Sequence, residues 1–281
     1  MEKVKGLYNT LNQEMGSELP YNPNNKLVSY DDVYSILAEY LDNPIIHDLN
    51  IYRKAFVHRS YCTRKNENFI NGNSACPANC YPLQEESNER LEFLGDAIVN
   101  LAVGRYLYDR YPDENEGFMT KVRTKLVNGI MLGNFASIIR LDRFILISKQ
   151  IEENEGRTSS KIMEDVFEAF VGAMLNDVKD YAIVEDWLVN LIEGNIDFSE
   201  LIRKNTNYKD SLIKHYQYNH NMCPRFYEMS VETTSSGCKK YTVCVKGVDD
   251  VLLGIGSGCS KKHAENDASC VVLRSLGIAV D

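Results

Sequence analysis

The sequence predicts two domains in tandem: a long all-α domain followed by a small α+β module of order α-β-β-β-α. From Asp48 to about Glu200, apolar residues recur at three- and four-residue spacing, as in "NERLEFLGDAIVNLAVGRYLYDRY" and "KIMEDVFEAFVGAMLND". After Glu200 the pattern changes to three short runs rich in β-branched and aromatic residues, set between two helix-like segments. The 281 residues, 44% of them hydrophobic, suffice for one large core and one smaller one.

Taken in order, residues 1–45 read as a polar extension with a Pro/Asn-rich patch, "LPYNPNN", and then a short helix opened by Ser29 as N-cap. Residues 46–200 form the helical domain. It is interrupted at 63–86 by "TRKNENFINGNSACPANCYPLQEE", whose Asn, Gly and Pro content predicts a loop. Residues 201–206 are the predicted linker. The module spans 207–278, with a helix over "NYKDSLIKHYQYN", strands over "PRFYEMSVETT", "KKYTVCVKGV" and "DVLLGIGSGCS", and a closing helix "KKHAENDASCVVLRSLG".

No run of about 18 apolar residues and no signal-peptide pattern is present, so the expectation is a soluble, intracellular protein of cytoplasm or nucleus, without a membrane partner. The eight cysteines are thinly spread over a large chain and are expected as thiols rather than a disulfide framework. A net charge of −9 argues at first against a nucleic-acid partner. Its distribution reverses that: from Asn207 on, nine Lys plus Arg face eight Asp plus Glu, leaving 22 against 32 for residues 1–206. An acidic domain joined to a near-neutral module with local Lys clusters suits a metal-dependent enzyme with a binding module.

The acids give that idea residues. At about 100° per residue, Glu89, Glu92 and Asp96 fall on one stripe of their helix, with Leu91, Leu94, Ile98 and Leu101 predicted opposite. A second helix carries Asp165 and Glu168 at i, i+3 in a run that is otherwise apolar and small apart from Glu164. Each acid alone is explained by a solvated helix face. A carboxylate pair in so apolar a helix needs a partner, because an unpaired buried carboxylate is costly or takes up a proton. Two such helices side by side offer hard oxygen ligands without His or Cys, which select Mg²⁺ or Mn²⁺ and serve phosphodiester chemistry. Gly95 is expected to permit close helix approach beside Asp96.

With "FVHRSY" before it and "DENEGFMTKVRTKLV" and "EDVFEAFVGAML" after it, "NERLEFLGDA" closely resembles the ribonuclease III endonuclease domain, over about Ile51 to Leu191. The C-terminal module resembles the double-stranded-RNA-binding domain that follows it in that family. The resemblance implies Glu92, Asp96, Asp165 and Glu168 as catalytic, metal-binding carboxylates. It adds Glu89 and Glu116 as acids assisting at the same site, Asn88 as a contact to the substrate backbone, and Phe93 as the aromatic inserted into the partner of a homodimer. It further implies Mg²⁺, with Mn²⁺ able to substitute, no small-molecule cofactor, and cleavage of double-stranded RNA to 5′-phosphate and 3′-hydroxyl ends with short 3′ overhangs.

In the module, Lys261 and Lys262 match the family's Lys-Lys-x-Ala-Glu stretch and lie at a helix N-terminus, suited to phosphates across the RNA major groove. Where the family often carries Gln-Glu in the first helix and His in the first strand loop, this chain has Ile213, Lys214 and Gly237. Lys214, Lys239 and Lys240 are the substitutes expected to hold phosphate. Cys62, Cys76 and Cys80 with His58 are residue types a zinc site uses, although the spacing matches no strong finger pattern. The alternative class is a non-catalytic RNA-binding or ribosome-associated protein that retains the fold, for which the full acid set has no use. A DNA nuclease is disfavoured, since the module resembles one that reads A-form geometry and 2′-hydroxyls.

Overall fold

A computed structural model describes residues 20–63, 76–203, 207–233, 239–247 and 250–278. They divide into two compact units, one ending at Asp197 and the other beginning at Phe198. The first unit contains helices α1 (Tyr30–Ala38), α2 (Leu49–Ala55), α3 (Glu89–Arg110), α4 (Glu116–Leu126), α5 (Gly129–Ile138), α6 (Lys149–Glu153), α7 (Ser160–Val178) and α8 (Tyr181–Asn195). Most start where a short polar side chain accepts from the backbone N–H groups that the first turn leaves unpaired: Ser29, Asp48, Asn115, Asn128, Ser148 and Asp180 all do so. At Ser29 the cap is reciprocal, because Asp32 accepts in turn from the Ser29 N–H.

Helix α7 is the axis of this unit. Its residues from Val166 to Met174 are buried, Glu168 included, and Phe167 and Phe170 close on Trp187 of α8 with ring centroids 6.4 and 5.8 Å away. Helix α3 crosses it with backbone touching backbone. A Cβ added at Gly95 would sit 1.7 Å from the Glu168 carbonyl oxygen, and one at Gly172 would sit 2.2 Å from the Leu91 carbonyl oxygen. No side chain fits at either position.

Three features differ from the sequence expectation. Leu101, predicted to pack opposite the acids, is 58% exposed. With Glu89 at 0°, the buried arc of α3 runs from about 180° at Ile98 through Leu91, Ala102, Gly95, Val99 and Val103 to about 0° at Leu107. The acids, at about 0°, 300° and 340°, therefore lie near the helix start on the same side as the core instead of opposing it, and Phe93, Leu101 and Tyr108 form a second apolar face in the exposed arc from about 40° to 120°. Residues 20–45 are also built into the helical unit rather than appended to it. Buried Asn22 and Asn25 both donate through Nδ2 to the Ile147 carbonyl, at 3.1 and 3.0 Å, while the Ile147 N–H and Arg157 Nη2 donate to Asn25 Oδ1. Finally, residues 201–203, predicted as linker, continue a helix, α9 (Phe198–Arg203), seeded by the helical spacing of Phe198, Leu201 and Ile202.

The second half of the 63–86 insertion is anchored. The Thr63 N–H donates to the Gln84 carbonyl and the Gln84 N–H to that of Tyr61, while Tyr81 and Leu83 pack on Val57, Tyr61 and Leu146. Its first half, 64–75, lies outside the described residues.

In the second unit, α10 (Tyr208–His220) precedes strands β1 (Arg225–Thr233), β2 (Lys239–Lys246) and β3 (Leu252–Gly258), and α11 (Lys261–Ser275) closes it. The sheet is antiparallel in the order β1-β2-β3, with Tyr227, Cys244 and Ile255 in register. Leu212 and Tyr216 of α10, Val245 of β2 and Ala268, Val272 and Leu273 of α11 form its core. Helix α11 lies directly on β3 because from Gly254 on every second β3 residue is glycine: a Cβ at Gly256 would sit 2.0 Å from the Ala268 nitrogen, and one at Gly258 2.7 Å from that of Ala264. Among the described residues, no helix is long and apolar enough to cross a membrane.

Gly95→Ala is expected to lower the unfolding free energy by about 2–3 kcal/mol or more, because a backbone carbonyl must move. Gly104→Ala in the same helix, where an added Cβ meets only Arg123 Nη1 at 4.0 Å, is expected to raise it by about 0.5–1 kcal/mol. Urea unfolding of the two variants gives opposite signs if the crossing is as tight as described.

Candidate active site

The α3–α7 crossing determines where the acids go. Gly95 rests on the Glu168 backbone, so the side chains bordering that contact, Glu92 on α3 and Asp165 and Glu168 on α7, are drawn together. One carboxylate oxygen from each lies within 4.8 Å of the other two. Glu89, Phe93 and Asp96 from α3 and Lys161, Glu164 and Glu168 from α7 line an open cleft around them together with Glu92.

Burial falls unevenly on this set. Glu168 is 6% exposed and is pushed up to about 8, first by burial and then by the charges of Asp96 and Glu164. Glu92 is half-buried and also raised, by burial and by Asp165. Asp96 stays at the solvent edge, where its Oδ1 accepts from Asn100 Nδ2 at 2.8 Å. Glu89 is held at the helix start by the Ser87 hydroxyl, which donates at 2.7 Å, and by Arg59 at 3.9 Å.

Two charged residues of the cleft were not singled out by the sequence reading. Lys161 Nζ lies 2.6 Å from Asp165 Oδ1 and 3.4 Å from Glu164 Oε2. These acids raise the Lys161 pKa. The Lys-x-x-Glu-Asp spacing, i to i+3 and i+4, was the available signal.

Two residues expected at the site are not there. Asn88 is 2% exposed, and its amide is spent on structure: the side chain donates to the Ala55 carbonyl at 3.1 Å and the backbone N–H to that of Val57 at 2.8 Å. It anchors the start of α3, with its side chain turned inward. Glu116 begins α4, where its carboxylate accepts from the Thr120 hydroxyl at 2.8 Å, and it does not line the cleft of its own chain.

The donor set fits a hard divalent cation. It consists of carboxylates alone, crowded so closely that two of them are held toward the protonated form, a repulsion that a cation relieves. Among the described residues, Glu92, Asp165 and Glu168 are the one group of three or more His, Cys, Asp or Glu residues close enough to share an ion. Cys62, Cys76, Cys80 and His58 are not gathered. The Cys76 thiol faces the carbonyls of Pro77 and Cys80, and His58 caps the turn at Arg59–Tyr61, its Nδ1 accepting from the Ser60 N–H. No disulfide joins the described cysteines.

In the second unit, Lys261 and Lys262 open α11, whose N-cap Ser260 accepts from the His263 N–H. Both are exposed, Lys261 lying 3.7 Å from Glu228. Lys239 and Lys240 are exposed at the start of β2, and Lys214 pairs with Asp210 at 2.7 Å on α10. Gly237 lies outside the described residues.

Residues 48–184 match a family model described as ribonuclease-III-like, and residues 208–276 match the double-stranded RNA binding motif. A probable ribonuclease 3 from Acanthamoeba polyphaga mimivirus is 36% identical over 251 residues, covering 89% of this chain and 46% of that protein, so the chain spans about half the length of this relative. Ribonuclease 3 of Streptococcus gordonii is 33% identical over 225 residues, covering 80% of this chain and 89% of that one. The solved nuclease domain of ribonuclease III from Campylobacter jejuni is 30% identical, with a TM-score of 0.47, covering 60% of this chain and 99% of that domain.

A pH dependence follows from Glu168. Its folded value lies above its ordinary one, so between about 4.5 and 8 the folded protein keeps a proton that the unfolded chain releases. In metal-free buffer, thermal stability is expected to fall as pH rises through that window and then level off. Glu168→Gln should flatten the decline, and an equally steep decline in that variant would assign it to another group.

Proposed function

The chain belongs to the ribonuclease III family and carries a double-stranded-RNA-binding domain behind its nuclease domain, and we propose that it cleaves duplex RNA by Mg²⁺-dependent phosphodiester hydrolysis. The carrying observation is the convergence of Glu92, Asp165 and Glu168 in a cleft also lined by Glu89 and Asp96. In this reading, Glu92, Asp96, Asp165 and Glu168 hold the ion. Bound there, Mg²⁺ supplies charge neutralisation at the scissile phosphate and acidification of the attacking water, and Mn²⁺ can substitute. Glu168, locked by its backbone against Gly95, fixes the ligand geometry. Glu89 faces solvent beside these ligands and is available to water and to the leaving oxygen. The products are 5′-phosphate and 3′-hydroxyl ends.

The proposed working state is a homodimer. Supporting it is the second apolar face of α3, where Phe93 is 82%, Leu101 58% and Tyr108 69% exposed, an unusual load of large apolar side chains for one solvent-facing helix. Two such sites, one for each strand, would leave short 3′ overhangs. Glu116, which does not line its own cleft, enters this reading through the second copy. Duplex RNA, inside the cell in cytoplasm or nucleus, is the substrate class. The double-stranded-RNA-binding domain would grip it with Lys261 and Lys262 at the positive end of α11, and with Lys214, Lys239 and Lys240 as further phosphate contacts.

Digestion of duplex RNA in Mg²⁺ and in EDTA tests the reading. Wild type is expected to cut only with the metal, and Glu168→Gln to lose roughly 10³-fold in rate, about 4 kcal/mol of transition-state stabilisation, while still binding RNA. Duplex binding without any Mg²⁺-dependent cutting would favour the non-catalytic alternative. The Lys261→Ala/Lys262→Ala double variant is expected to weaken duplex binding and to reduce the slope of log affinity against log salt by about 2, measured by gel shift. An unchanged slope would remove these lysines from the phosphate contacts.

A further inference from the structure

Lys161 stands inside the acid cluster but has no part in the chemistry proposed above. It lies in the first turn of α7, 2.6 Å from Asp165 Oδ1 and 3.4 Å from Glu164 Oε2. The two acids differ in kind. Asp165 belongs to the converging trio, whereas Glu164 lines the cleft without joining it. Asp165 Oδ1 is shut off from solvent and has no aligned hydrogen bond, so the ammonium is its close electrostatic partner. The lysine side chain is 66% exposed, against 17% for Asp165 and 22% for Glu164: the cation is open to solvent and the acids are enclosed.

Glu164 is held for a visible reason. Its carboxyl packs against Gly129 at the start of α5, where any Cβ would come within 2.5 Å of Oε2. A glycine there leaves room for the carboxyl, and a helix start favours negative charge. Glu164 is thus a fixed second acceptor within one side-chain swing of the first.

Resting on the reading that the trio holds a divalent ion, we propose that Lys161 is a built-in counter-cation. This positioning residue neutralises Asp165 while the cluster is metal-free and passes to Glu164 when metal binds. A monovalent ammonium and a divalent ion cannot share one small carboxylate without strong mutual repulsion, which falls off only as they separate. Glu164 makes the separation short and keeps the ammonium paired after it. Metal loading is consequently an exchange of cations and not a simple addition.

Calorimetric titration of the full chain with Mn²⁺, without RNA, tests the exchange. Lys161→Met is expected to bind Mn²⁺ about three- to tenfold more tightly, equivalent to about 0.7–1.4 kcal/mol, and to melt at a lower temperature than wild type in EDTA. Lys161→Arg should restore the wild-type values. Glu164→Gln is expected to weaken binding when Lys161 is present but to have little effect in the Lys161→Met background, a coupling that a double-mutant cycle measures. Equal or weaker Mn²⁺ binding by a folded Lys161→Met protein overturns the proposal. So does the same loss from Glu164→Gln in both backgrounds, which would mean that Glu164 acts only through its general field. Failure of wild type itself to bind Mn²⁺ would instead strike the reading of the trio as a metal site.

Discussion

The nuclease unit depends on a contact that contains no side chain. Where α3 crosses α7, Gly95 meets the Glu168 carbonyl and Gly172 meets the Leu91 carbonyl, so the two backbones are in direct van der Waals contact. Ordinary helix pairs keep their axes 8–10 Å apart because side chains intervene. Removing them lets residues bordering the contact reach one another, and three of those residues are acids. The proximity of Glu92, Asp165 and Glu168 is unfavourable in itself, as the raised pKa values of Glu92 and Glu168 show. It is offset by the aromatic and aliphatic packing around α7, where Phe167, Phe170 and Trp187 are fully buried.

Much of this was readable from residue order. Helix caps, the acid pair in an apolar helix and the change of period after Glu200 each have a local physical cause and need no knowledge of the fold. What escaped depends on which neighbour a face meets. Leu101 looked like core because helical angle alone does not separate a face buried within the chain from one left apolar for another purpose. Asn88 looked like a polar residue beside acids, yet its amide is turned inward to the carbonyl of Ala55, more than thirty positions earlier. Lys161 and Glu164 stand at i, i+3 in the sequence, but where the Glu164 carboxyl sits depends on Gly129, on a different helix.

The second unit uses the same device at another scale. Alternate glycines in β3 let α11 lie on the strand, which fixes the direction in which the helix start points. Lys209 strengthens that arrangement: its ammonium pairs with Glu265 at 2.6 Å and covers the Phe226 ring, while its N–H donates to Asn266 Oδ1. The exposed lysines at the start of α11 therefore stand on a braced element, whereas those at the start of β2 sit at a strand end.

The asparagines near the N-terminus change what counts as one piece of this protein. Asn22 and Asn25 supply the hydrogen bonds of the buried Ile147 backbone, and Asn25 also receives Arg157, whose guanidinium ties down the carbonyls of Asp142 and Ile145. Cutting the chain at residue 48 would orphan those groups, at about 1–3 kcal/mol for each that stays buried. Cutting it at 184 would remove Trp187, which has no exposed surface. The shortest fragment able to fold as a nuclease unit thus reaches further at both ends than the 48–184 stretch that matches the ribonuclease-III-like model, and truncations made at those two edges would measure damage to the core, not the competence of the site.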